Sequence, residues 1–309
     1  MFSGGIRAEI WAKINHMRVF VTGASGFIGS VVTEDLIRAG HQVLGLARSD
    51  EGAKIVAAAG AEVHRGDIYD LGSLRSGAAK ADGVIHCAFD HDFRRFAETC
   101  ETDRKVIEAL GAELAGSKRH LVITSGTGRS ASGQPRTEED PLIPSSIFPR
   151  GASEEAAESI LGKGVSVSVI RLPQVHDPYK QGLITPLIAV ARQKGVSAYV
   201  GEGTNRWPAA HRLDAAALYR LALEKAVAGA RYHAVGEEGI PLREIAESIG
   251  RGLKIPVVSI SPEKMSEHFG WLSIMVGIDM PASSVLTQQR LGWKPSHVGL
   301  IADLDEAKF

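Results

Sequence analysis

Only two of the 309 residues are cysteine, Cys87 and Cys100, and neither stands in a C-x-x-C pair. That excludes a disulfide framework and points to a reducing, cytoplasmic setting. No apolar run approaches the ~20 residues that span a bilayer, so no membrane partner is expected. Neither sign of charge is in excess: 35 Lys+Arg against 36 Asp+Glu leave a formal net charge of -1. The electrostatic case for nucleic acid is therefore missing. There is no internal repeat and no low-complexity segment. Residues 1–16 lack the apolar core of a signal peptide and are expected to form a disordered extension, in which 6–14 could make a short amphipathic helix. What remains is ordinary globular material, 44% hydrophobic and 23% charged, long enough for one large or two smaller domains.

Within it, residues 17–29 read MRVFVTGASGFIG. Val19, Phe20, Val21 and Thr22 suit a buried strand. Gly23, Gly26 and Gly29 follow at even spacing, and then Ile28, Val31, Val32 and Leu36 fall on one face of a helix, opposite Glu34, Asp35 and Arg38. A strand that turns sharply into a helix needs backbone angles a Cβ resists. The free N–H groups and dipole of the helix N-terminus favour phosphate, which needs room to approach. The third glycine lets the helix lie close on its strand. The stretch is read as a dinucleotide-binding turn, with Gly23, Ser25, Gly26, Phe27, Ile28 and Gly29 against the phosphates.

Downstream, strand patterns at 41–47, 61–64, 82–86, 119–124 and 165–171 alternate with helical ones, including a long helix over 91–115. This predicts an α/β fold: a Rossmann-type doubly wound parallel sheet, with ligands at the carboxyl ends of its strands. After Leu172 glycine and proline become denser. Residues 179–194 and 211–226 still look helical. The expected division is a dinucleotide-binding domain of 17–172 plus 211–235, and a smaller C-terminal substrate lobe of 173–210 plus 236–309.

The glycine spacing TGASGFIG resembles the short-chain dehydrogenase/reductase superfamily, in particular its extended and atypical members close to the NAD-dependent epimerases and dehydratases. The resemblance continues through Arg171-Leu172-Pro173-Gln174-Val175-His176, the hydrophobic-Asp-Ala stretch ending Arg212-Leu213-Asp214-Ala215, and Leu291-Gly292-Trp293-Lys294-Pro295. It implies that Gly66-Asp67-Ile68 holds the adenine, that Cys87, Ala88 and Phe89 form a turn beneath the cofactor, and that Pro173, Gln174 and Val175 pass the nicotinamide. Asp67 could instead cap the helix after it. The end of the second strand decides between NAD and NADP. Arg48 and Ser49 there favour a 2′-phosphate and hence NADP, while Asp50 one step on argues for NAD.

The family's Tyr-x-x-x-Lys pair is missing. Four positions after Tyr69, Tyr179, Tyr199, Tyr219 and Tyr232 stand Ser73, Leu183, Gly203, Leu223 and Gly236. Where the motif is expected the chain reads Arg150-Gly151-Ala152-Ser153-Glu154. Arg150 stays protonated, so it could steady an oxyanion or grip an anion but not donate a proton. At i and i+4, Arg150 and Glu154 could equally be a surface ion pair worth a few tenths of a kcal/mol. Ser125, Arg150, Ser153 and His176 are the catalytic candidates. No metal site is expected: Asp90-His91-Asp92 cannot easily converge on one ion, and Glu138-Glu139-Asp140 reads as a solvated rim.

The leading expectation is an NAD(P)-binding oxidoreductase, NADP favoured, acting on a small carbonyl or hydroxyl compound through an atypical proton donor. The alternatives are a non-catalytic NADP(H) sensor or scaffold and a sugar-nucleotide epimerase or dehydratase. The resemblance also implies a possible homodimer built on the helices at 91–115 and 150–161.

Overall fold

The computed structural model describes residues 16–130 and 133–307; the expectations for residues 1–15 fall outside them. Seven strands form one parallel sheet in the order β11-β6-β5-β4-β1-β2-β3. They are β1 (Arg18–Thr22), β2 (Gln42–Ala47), β3 (Glu62–Arg65), β4 (Gly83–His86), β5 (His120–Gly126), β6 (Val167–Leu172) and β11 (Arg231–His233). Strand β1 pairs in parallel with both β2 and β4, so the strand order reverses beside the glycine turn. That reversal opens the crevice in which such sheets bind ligands.

The inner strands are buried on both faces, which is why they read as near-continuous apolar runs. Successive residues of β1 serve opposite faces. Val19 and Val21 join a core with Ile85, Val122 and Ile170 beneath α1 (Phe27–Arg38) and α7 (Arg212–Lys225). Phe20 joins the other core with Leu74, Val84, Leu121 and Ile123, beneath α4 (Phe96–Leu114) and α5 (Gly151–Gly162). The first core also takes in Leu291 and Trp293 from far along the chain. The Trp293 indole donates to the carbonyl of Asp214 at 2.9 Å, and the Asp214 carboxylate accepts the backbone N–H groups of Ser296 and His297.

A four-stranded sheet, order β12-β10-β7-β8, and a two-stranded sheet of β13 and β9 make up the smaller lobe. Their strands are β7 (Gln174–Asp177), β8 (Lys180–Gln181), β9 (Ser197–Val200), β10 (Arg206–His211), β12 (Glu237–Pro241) and β13 (Val257–Ile260). Trp207, Ile245, Phe269, Leu272 and Leu300 form its core.

Three local expectations need correction. The helix expected from 91 begins at Phe96, after a 3-10 turn over Phe93–Arg95. The Asp90 and Asp92 carboxylates accept the N–H groups of Asp92 and Arg94, and such bonds compete with helix. The helix expected from 179 begins at Ile184. Asp177 ties down the N–H groups of Tyr179 and Lys180, and Gly182 adopts φ +51°, so the chain first makes a hairpin. The expected acidic rim at 138–140 is partly interior. Glu138 is 2% exposed, and one carboxylate oxygen accepts from both the N–H and the hydroxyl of Thr287 at 2.6 Å. Among the described residues no helix is long and apolar enough to cross a membrane.

Candidate cofactor and substrate site

The glycine turn is as tight as its sequence requires. Gly23 adopts φ +69°, and a Cβ there would stand 2.8 Å from the Ala88 nitrogen. A Cβ on Gly29 would stand 2.1 Å from the Gly23 carbonyl oxygen, so α1 lies directly on the turn. Gly26 is the N-cap of α1 and supplies no side-chain cap, and the first helical turn carries no acidic residue. The orphan N–H groups of this turn are thus left for a ligand, and the local field favours an anion.

They face a cleft of about 1210 Å³ that runs from the ends of β2 and β3 past the turn to the smaller lobe. Small-ligand pockets usually hold ~300–1,000 Å³, so there is room for a dinucleotide with a substrate beyond it. Gly23, Ser25, Gly26, Phe27, Ile28, Gly29, Arg48, Asp67, Ile68, Cys87, Ala88, Phe89, Ser125, Arg150, Pro173, Gln174 and Val175 all line this cleft.

Three expected site residues do not line it. Ser49 caps the helix at Asp50–Ala58 by accepting the Gly52 N–H. Ser153 is fully buried behind Arg150. His176, read above as a pocket histidine, is also fully buried, its Nδ1 2.6 Å from an Asp303 carboxylate oxygen; the smaller lobe closes over it.

At the end of β2, Arg48 is exposed and makes no ion pair among the described residues. Asp50, the residue that argued for NAD, points away to pair with Arg65. Asp67 accepts the Tyr69 N–H, whereas the cap of the following helix, Leu71–Ala79, is Asp70.

Beneath the expected catalytic position lies a buried polar chain. Thr22 Oγ1 meets His86 Nδ1 at 2.7 Å, and His86 Nε2 meets Asp103 Oδ1 at 2.9 Å. Asp103 Oδ2 accepts from Arg150 at 2.6 Å and from the Ser153 hydroxyl at 2.5 Å. Burial alone would raise the Asp103 carboxyl, but the Arg150 charge and the His86 and Ser153 hydrogen bonds hold it well below the usual carboxylate range. Arg150 also donates to the Thr124 carbonyl at 2.9 Å and lies 4.2 Å over the Phe89 ring. Its guanidinium is thereby fixed at the cleft wall.

Glu154 takes no part in that cluster and does not pair with Arg150. It turns inward to a two-pronged pairing with the fully buried Arg171, at 3.0 and 2.8 Å. Burial opposes its ionisation, but Arg171 and the Ser125 hydroxyl outweigh burial and lower its pKa. Below Cys87, whose thiol burial pushes up to about 12, the Tyr219 hydroxyl meets Thr124 Oγ1 at 2.6 Å.

One stretch of the cleft wall is apolar, made by Phe89, Phe93, Phe96, Phe148, Trp271 and Met280; His91, Arg129 and Lys180 line the cleft too. His91 is accessible from the cleft, yet burial between the walls, then Arg150 and Lys180, pull its pKa below the ordinary imidazole value. The available signal was the run FDHDFRRF, three phenylalanines in eight residues at 89–96. Among the described residues no group of three or more His, Cys, Asp or Glu side chains could hold a metal ion.

A family model described as the NAD dependent epimerase/dehydratase family matches residues 19–235. An uncharacterized protein of Schizosaccharomyces pombe is 50% identical over 289 residues, 93% of this chain and 98% of its own length. A protein of Stenotrophomonas maltophilia named 2-alkyl-3-oxoalkanoate reductase is 28% identical, over 78% of this chain and 77% of its own. The crystal structure of a dTDP-glucose 4,6-dehydratase variant from Streptomyces venezuelae, with NAD bound, has a similar fold, with a TM-score of 0.75 at 22% identity over 94% of this chain and 96% of that one.

Proposed function

The chain belongs to the NAD dependent epimerase/dehydratase family, and on that premise we propose that it is an NADP(H)-dependent oxidoreductase acting on a small carbonyl or hydroxyl compound. The observation that carries the reading is the fixed Arg150 guanidinium, on the cleft wall where the family's tyrosine would stand. A bound nicotinamide supplies hydride. Arg150 holds the substrate oxygen and offsets the negative charge that develops on it. Arg150 keeps its own proton, so the oxygen's proton comes from water or through His91, an imidazole on the same cleft. Arg48 supports NADP over NAD: it is exposed beside the cleft, and the Asp50 carboxylate is paired with Arg65. The 2-alkyl-3-oxoalkanoate reductase among the relatives supports carbonyl reduction.

The test is a thermal-shift series with NAD, NADH, NADP and NADPH on wild type and Arg48→Asp, followed by NADPH oxidation with a panel of ketones and aldehydes. At 100 times its dissociation constant, NADPH should raise the midpoint by about 5 °C or more. Arg48→Asp should reverse the preference towards NADH. No shift with any nucleotide overturns the proposal. Tight NADPH binding with no turnover across the panel supports a sensor instead, a reading favoured by the absence of a tyrosine from the cleft lining.

A further inference from the structure

We propose that the substrate of this oxidoreductase is an apolar, planar carbonyl compound, held against the apolar stretch of the cleft wall where Phe93 and Trp271 stack, and not a nucleotide sugar. The inference rests on the reading just given and adds the substrate class to it.

Phe93 belongs to the segment after β4, and Trp271 to the smaller lobe. Their rings stack at 4.7 Å and 9° and so bridge the two sides of the cleft. The aromatic wall continues inward. Phe96 lies 5.7 Å from Phe93, 5.7 Å from Phe148 and 6.5 Å from Phe89. Phe89 carries the Arg150 guanidinium on its face, so the wall ends at a single fixed cation. A flat apolar molecule packed against this wall can direct one oxygen at Arg150 while its rings meet rings.

Trp271 keeps 39% of its surface exposed, which leaves part of it open to a ligand. A nucleotide sugar needs the opposite surface: several cations converging on a diphosphate, and polar partners for the sugar. Here the Arg150 charge is paired with Asp103, so it can hold one carbonyl oxygen but brings little net charge to a diphosphate; Lys180 lies 5.4 Å from the Phe27 ring at the glycine turn, and Arg129 is exposed to solvent. Among the described residues no Arg or Lys other than Arg150 lies over the rings of Phe89, Phe93, Phe96, Phe148 or Trp271.

The test uses 1-acetonaphthone as the planar ketone, dihydroxyacetone as a small polar one and UDP-glucose as the nucleotide sugar. Each is titrated by calorimetry into the full chain saturated with NADP. The ketone should bind, and Trp271→Ala or Phe93→Ala should weaken it about tenfold or more. Trp271→Phe should restore it, and NADPH affinity should stay within about twofold of wild type in all three variants. Tighter binding of UDP-glucose or dihydroxyacetone than of 1-acetonaphthone overturns the assignment. So does a Trp271→Ala protein that binds NADPH normally and the ketone unchanged. Failure of wild type to bind any nicotinamide nucleotide, by contrast, overturns the oxidoreductase reading itself.

Discussion

Arg150 and Asp103 meet at 2.6 Å, joining the start of α5 to the middle of α4 beneath the cleft. The carboxylate is 3% exposed and the arginine side chain 13%. Removing the arginine would leave a buried charge supported only by His86 and Ser153. Arg150→Ala should therefore cost about 3–5 kcal/mol in urea unfolding. In an Asp103→Asn background the same change should cost at least about 1 kcal/mol less, because the stranded charge is gone. Additive losses in that double-mutant cycle would show that the pair is not coupled.

Gly29→Ala puts alanine inside α1, where helix propensity alone would favour it by up to ~1 kcal/mol. The contacts reverse the sign. The new Cβ would sit 2.1 and 2.7 Å from the carbonyl oxygen and carbon of Gly23, and backbone cannot swing aside as a side chain can. The variant should melt lower than wild type and show no NADPH-dependent shift. A variant with normal stability and nucleotide binding would contradict the close seat of α1 on its turn.

His120 gives a pH dependence of calculable sign. It is 3% exposed, between the hydroxyls of Ser166 and Ser168 at 2.7 and 2.9 Å, and burial lowers its pKa to about 4. The unfolded imidazole titrates near ~6.5, so between those values the unfolded chain binds the extra proton. The stability is complete above pH ~6.5 and is lost as pH falls towards 4, by about 3 kcal/mol at most. Urea midpoints for wild type should fall from pH 7 to pH 5, and His120→Gln should flatten that slope. An equal slope in the variant would assign the acid sensitivity elsewhere, with His233, also lowered to about 4 by burial, the next group to replace.

The glycine-turn side of the cleft was legible in the sequence, because its signal is local. The alternation in β1, the helix after it and the three glycines are set by sterics within thirteen residues, and the glycine, Arg48 and Asp67 positions do line the cleft. The partners of Arg150 and Glu154 were not legible. Asp103 stands 47 residues before Arg150, and Arg171 stands 17 after Glu154, so neither pairing leaves a mark in a motif. His176 shows the same limit from the other side. Its place after β6 suggested the nicotinamide pocket, but the residue that engages it, Asp303, is 127 positions away. Strands β7, β10 and β12 were missed because each holds a single β-branched or aromatic residue and lacks a clean period of two.

The Trp293 anchor sets an order on the making of this protein. Its indole bonds to a carbonyl 79 residues earlier and completes the core that begins at Val19. A nascent chain with the glycine turn, all seven parallel strands and α7 already outside the ribosome still lacks that ring. The core around the glycine turn is thus completed by a residue from far along the chain.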